Sequence, residues 1–131
     1  MNAPARLSID IFSDVMCPWC VIGYRQLQQA LAGLAGEIEA EVRWRPFELN
    51  PDIAPEGEDL ASHMLRKYGR VPDEGSTGQM VEIAERAGYD MRYLGEGPEP
   101  ERRLWNTFLA HKLLRWALTS AGPEVETRLK L

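Results

Sequence analysis

An α/β fold with its chemistry at a strand-to-helix junction is what this sequence predicts, on three observations. Leu7, Ile9 and Ile11 alternate with polar residues and run into Phe12, the period of a strand. Ile22, Tyr24, Leu27, Ala30, Leu31 and Leu34 then recur at helical spacing. Between the two patterns lies Cys17-Pro18-Trp19-Cys20, which holds both cysteines of the 131-residue chain.

The first strand is expected over Leu7–Phe12, with Ser13-Asp14 as the turn that follows. The helix is expected to open at the cysteines and stop near Gly36. Pro18 suits the first turn, where a missing N–H has no helical partner to lose. A second strand spans Ala40–Phe47, Val42, Trp44 and Pro46 facing one way and Arg43, Arg45 and Phe47 the other. Arg43 and Arg45 read as a solvated strand face. Pro46 cannot donate to a ladder and marks a strand end. A proline-rich connection follows through Pro51, Pro55 and Gly57.

Beyond it the chain reads as helical. Leu60, Met64 and Leu65 fit a helix ending near Gly69, and Val71-Pro72 opens loop material running through Ser76. Met80, Val81, Ile83, Ala84 and Ala87 fit another, ended by Gly88; Tyr89 to Pro100 reads as a loop. Leu104, Trp105, Phe108, Leu109, Leu113, Trp116 and Ala117 make the strongest helical stripe, with Trp105, Phe108 and Trp116 expected in the core. Gly122-Pro123 breaks it, and Glu124 and Glu126 suit the first turn of a last helix. The sequence therefore divides at residue 53: 1–53 is a βαβ part carrying the cysteines, and 54–131 is a helical segment.

Two thiols three residues apart on a helix lie with Cα atoms about 5 Å apart, within the roughly 4.4–6.8 Å a disulfide closes. A Cys-x-x-Cys pair is also half of many zinc sites, but a four-ligand site needs two more Cys or His residues. Only His63 and His111 remain, far apart in sequence. The reading is a redox pair with no metal and no cofactor. Cys17, at the helix start, faces unpaired N–H groups and the positive end of the helix dipole, which favour a thiolate. Cys20, one turn further in, is expected to be more buried and less ionised. Pro18 and Trp19 stand between the thiols, where they tune the pair. His111 reads as a packing or exposed histidine, with approach to the thiols as the alternative, and Asp14 either adjusts Cys17 electrostatically or forms an Asx turn before the helix.

Composition bounds the partners. Hydrophobic residues at 44% and charged residues at 27% are ordinary for a globular chain. A net charge of −5 gives no reason to expect nucleic acid, and no run approaches the ~18 apolar residues of a membrane span. Residues 1–6 form a polar lead without the apolar core of a signal peptide, which points to the cytoplasm. Cysteines in that compartment serve catalysis or sensing more often than structure.

Ser13-Asp14-Val15-Met16-Cys17-Pro18-Trp19-Cys20 followed by Ile22-Gly23 resembles the DsbA family of thioredoxin-fold oxidoreductases, in particular its FrnE-like branch. Trp44-Arg45-Pro46-Phe47-Glu48-Leu49-Asn50-Pro51 matches that branch too, as do Asn106-Thr107, Ala110-His111, Leu114 and Trp116-Ala117. The resemblance implies a thioredoxin-like fold with a helical insertion, with Cys17 as nucleophilic and Cys20 as resolving cysteine. It implies as partner a protein or small thiol carrying a disulfide or dithiol. The family's cis-proline strand has no counterpart here, so the fold is expected to be truncated before it, in a protein roughly 80 to 100 residues longer. The open sheet edge left behind is a place where a dimer would form. A glutathione-dependent isomerase or transferase of the same fold, and a non-enzymatic redox-sensing or binding module, are the alternatives. The retained Cys20 speaks against the former.

Overall fold

The computed structural model describes residues 3–131, leaving Met1 and Asn2 of the polar lead outside the described residues. Strand alternation takes Ala5–Ser13 into β1, and Ile38–Pro46 forms β2. They pair in parallel from Ala5 opposite Ile38 to Ser13 opposite Pro46. Parallel neighbours need a crossover, which helix α1 (Pro18–Gly33) supplies. Gly36, at φ 86°, takes the left-handed turn that returns the chain to β2. Arg45 reaches across to Asp10 at 3.2 Å, and Arg43 bonds Glu41, so both arginines of the strand face are ion-paired. The second edge of β1 has no partner strand among the described residues.

Two compact units result. One comprises the chain up to Pro51 together with Thr107–Leu131; the other is Asp52–Asn106. The first break lies close to the expected division at 53. The second corrects it, because Thr107–Leu131 belongs to the unit of the βαβ part and not to one continuous 54–131 segment. The cause is docking: α4 (Phe108–Ala121) packs on α5 (Pro123–Lys130), and α5 packs on β2.

In the first unit, Ile22 of α1 and Trp44 of β2 are buried, and the Tyr24 ring lies 5.1 Å from that of Trp44 in a tilted contact. Helix α4 buries His111, Leu114 and Ala117. The aromatic residues expected in the core are on the other side: Phe108 is 54% and Trp116 63% exposed. A count of apolar residues chooses that face because it ignores His111, which goes inward to meet a buried carboxylate.

The second unit holds α2 (Leu60–Tyr68), α3 (Glu74–Arg86) and a two-residue antiparallel ladder, β3 (Glu58–Asp59) with β4 (Arg103–Leu104). Leu104 is thus strand and not the start of the strong helical stripe, and Trp105 just beyond it is exposed. Gly57, at φ 77°, allows the close approach, since a Cβ there would meet the Leu104 carbonyl oxygen at 2.8 Å. Helix α3 begins six residues before its first apolar marker. Asp73 caps it by accepting the Ser76 N–H at 2.7 Å, which outweighs the helix-weakening Gly75 and Gly78. His63 is buried and meets Glu58 at 3.0 Å, and Arg66 forks onto the same carboxylate. Arg66 first and His63 second hold Glu58 down at about 2.

Candidate functional site

Cys17 is the N-cap of α1, with extended backbone at φ −90° and ψ 109°, and Pro18 opens the helix. No side chain caps the first turn. The Cys17 N–H donates to the Asp14 carbonyl at 3.2 Å, closing the turn that leaves β1, and the Cys20 N–H donates to the Cys17 carbonyl at 3.2 Å. Both thiols are free and half-buried. Trp19 between them is 51% exposed, so its indole faces solvent beside the pair and is not part of the core.

The Cys20 side chain acts directly on the Cys17 thiol. Burial pushes the Cys17 thiol up from its ordinary range, and the thiol contact and charge of Cys20 push the same way. The N–H groups of Cys20 and Trp19 pull down. The thiolate-favouring helix start expected from the sequence is therefore present, but in the dithiol form it is outweighed by desolvation and by the second sulfur.

Beneath the turn lies the carboxylate of Asp14, which the sequence reading left between an Asx turn and an influence on Cys17. Asp14 is 2% exposed; it accepts the Leu49 N–H at 2.8 Å and meets His111 Nε2 of α4 at 3.2 Å. Asn50 donates to the Met16 sulfur at 3.4 Å, a second tie between the turn and the segment leaving β2. Asp14 thus joins the turn before Cys17, that segment and α4 at one buried point.

A third group comes from α5. Glu126 is 2% exposed and accepts the Trp44 N–H on the outer edge of β2 at 3.2 Å, while Trp44 Nε1 donates to Thr127 Oγ1 at 2.9 Å. One turn on, Lys130 lies 4.7 Å over the Trp44 ring. Ser13, Trp44, His111, Glu126 and Lys130 line one cleft. Burial pushes the Glu126 carboxyl up, against the Trp44 N–H and nearby cations. Sequence reasoning placed Glu126 in a first turn and missed Lys130 altogether. The signal was the i, i+4 spacing of the pair on one helix face.

Among the described residues no three His, Cys, Asp or Glu side chains converge as a metal site, and no helix is long and apolar enough to cross a membrane.

A βαβ unit with a dithiol at the start of its crossover helix defines a thioredoxin-type domain. The match to the DsbA-like thioredoxin domain runs over residues 8–129, and the chain belongs to that family. It is similar to the uncharacterized protein YwbO of Bacillus subtilis (strain 168), with 38% identity over 92 residues, 70% of this chain and 40% of that protein. Among solved structures it resembles the probable DsbA oxidoreductase SCO1869 from Streptomyces coelicolor, at 28% identity and a TM-score of 0.68. That match covers 86% of this chain and 47% of the other. The chain therefore spans less than half the length of either relative.

Proposed function

We propose that this chain carries the redox centre of a thiol–disulfide oxidoreductase of the FrnE-like branch. The observation that supports it most is the placement of two free, half-buried thiols at the start of α1, Cys17 as its N-cap and Cys20 one turn on, with no side chain capping that start. The Cys17 thiolate attacks one sulfur of a substrate disulfide; the S–S bond breaks, and the departing sulfur leaves as a thiolate. Cys20 then attacks the Cys17 sulfur of the mixed disulfide and releases the second substrate sulfur; the proton Cys20 loses goes to the departing thiolates or to water. Two electrons pass to the substrate, and the Cys17–Cys20 disulfide remains; in reverse the same steps oxidise a dithiol. Family membership and the probable oxidoreductase SCO1869 speak for this activity. A retained second thiol one helical turn from the first favours the pair over single-thiol glutathione chemistry. We place the activity in the cytoplasm, since both cysteines of the sequence lie in the working pair and none is left for a structural disulfide.

The test is trapping with a model disulfide such as oxidised glutathione. Cys20→Ser should accumulate a mixed disulfide, and Cys17→Ser should form none. Adducts on Cys17→Ser but not on Cys20→Ser would reverse the roles, and adducts on neither would overturn the reading.

A further inference from the structure

Helix α4 buries a histidine although its composition offers an apolar face. His111 goes inward, while Phe108 and Trp116 stay more than half exposed. A buried pair of a histidine and a carboxylate is a poor source of stability, since well-packed apolar side chains in such a place are often as good or better. What the pair fixes is the position of Asp14.

Both carboxylate oxygens of Asp14 are held, and by different elements. Oδ2 accepts the Leu49 N–H at 2.8 Å from the segment leaving β2, and Oδ1 meets His111 Nε2 of α4 at 3.2 Å. A carboxylate accepts and does not donate, so Nε2 carries the hydrogen of that bond. The backbone of the same residue belongs to the turn before Cys17. Its carbonyl accepts the Cys17 N–H at 3.2 Å and the Ser13 hydroxyl at 3.4 Å. The segment after β2 ties this turn through the Phe47 N–H on the Ser13 carbonyl, the Leu49 N–H on Asp14 and the Asn50 amide on the Met16 sulfur. His111 supplies the tie from α4.

We propose that His111 is a positioning residue of the redox pair: by fixing the Asp14 carboxylate it fixes the residue that receives the Cys17 N–H, and so the place from which Cys17 meets Cys20. The proposal rests on the oxidoreductase reading for its purpose, though not for its test. In this role His111 exchanges no proton with either sulfur. Its route is Nε2 to Oδ1, through the Asp14 residue, and from the Asp14 carbonyl to the Cys17 N–H. One bond would leave the carboxylate free to swing, whereas two bonds on separate oxygens set its plane. The attack of Cys20 on the Cys17 sulfur is internal, and such steps depend on alignment, a misplacement of about 1 Å costing up to about 10²-fold.

The test compares the full chain as wild type, His111→Leu and His111→Gln. Leucine fills the space without a donor, and glutamine carries an N–H near the place of Nε2. The reduced proteins are loaded with the 2-pyridyl disulfide of glutathione, a reagent that labels thiols in any protein. Acid quenching and mass measurement then follow the release of glutathione by Cys20. With Cys20→Ser added to each form, the same adduct is cleaved by dithiothreitol, and the ratio of the two rates is the effective concentration of Cys20. That ratio should fall roughly tenfold in His111→Leu and return most of the way in His111→Gln. An unchanged ratio in a folded His111→Leu chain, with only the unfolding temperature lowered, overturns the proposal. A glutamine variant no better than the leucine one overturns it too. Wild-type protein gives a check that depends on no variant folding. The NMR signal of His111 Nε2–H should shift when diamide closes the pair, and an unshifted signal counts against the proposal. Failure of the oxidoreductase reading looks different: oxidised glutathione leaves no adduct on Cys20→Ser, whatever these ratios show.

Discussion

Helices α2 and α3 begin on an aspartate, whereas α1 begins on a cysteine. Asp59 accepts the Ser62 N–H at 2.8 Å and Asp73 accepts the Ser76 N–H at 2.7 Å, so each first turn has a carboxylate on its free donors. At α1 no carboxylate does this: the Cys20 N–H donates to the Cys17 carbonyl at 3.2 Å, and the Trp19 and Cys20 N–H groups pull the Cys17 thiol down. A capped helix start is a stability device. An uncapped one beside a thiol leaves donors that favour a thiolate.

The sharpest way to break this contrast is to give α1 the cap its neighbours have. Cys17→Asp should abolish disulfide exchange, since the attacking sulfur is gone. It should also stabilise the chain by about 1 kcal/mol, as a good N-cap replaces a poor one. Urea unfolding and a disulfide-reduction assay on the same protein check both halves. Lost activity with unchanged or lower stability would mean that the first turn of α1 has no unmet donors.

Second in size is the carboxylate under the turn. Asp14→Ala removes an acceptor of the Leu49 N–H and the buried partner of His111, a loss of about 2 kcal/mol. Because Asp14 is joined to the Cys17 turn, the loss should be accompanied by slower exchange in the folded population. An Asp14→Ala chain as stable as wild type would show that water reaches this point and that the three-way junction is not structural.

The same carboxylate shows how far a sequence can be read. Strands β1 and β2, the crossover helix and the cysteine pair at its start were legible, because each has a local cause: period two, period 3.6, and proline at a first turn. Asp14 and His111 were each open to a bland reading, since nothing local shows that each has its partner 97 positions away. That partner also explains why α4 turns its histidine inward and leaves Trp116 outside, against its apolar count. Lys130 was illegible for the same reason: only the docking of α5 on β2 carries it onto the Trp44 ring. The Glu58–Asp59 ladder with Arg103–Leu104 is too short to have a period, and Gly57 was its one local trace.

Smaller effects come from the exposed caps. Asp59 and Asp73 are both held below the ordinary carboxylate range, first by the backbone N–H each accepts, from Ser62 and Ser76. A carboxylate whose folded value is depressed contributes stability above its unfolded value, and that contribution is lost as pH falls through the folded one. Asp59→Ala and Asp73→Ala should therefore cost a little stability at neutral pH and nothing once the medium is acid enough to protonate the caps. Disulfide exchange should be unaffected. Thermal unfolding at neutral and strongly acid pH separates the two conditions, and an undiminished difference in acid would show that the aspartates act by packing and not by charge.

Glu126 offers the opposite sign for the same kind of bond, which makes it the most discriminating of these tests even though its effect is the smallest. Like the caps, it accepts a backbone N–H, that of Trp44, yet it is buried where they are exposed. Burial is its largest influence and raises its carboxyl above the ordinary range, with the Trp44 N–H only partly opposing. A folded value above the unfolded one means that the contribution to stability is whole below the usual carboxylate range and is lost as pH rises through the folded value. The wild-type urea midpoint should thus carry a component that declines from pH 4 towards neutrality, where the caps have already given theirs. Glu126→Gln keeps an oxygen for the Trp44 N–H and removes the charge, so that component should vanish, and the variant should gain on the wild type as pH rises. If instead the variant loses ground towards neutral pH, the carboxylate is stabilised by Lys130, Arg45 and Arg115 more than burial penalises it. The edge of β2 would then be held by charge, as the helix starts are, and the contrast between buried and exposed N–H acceptors would fail.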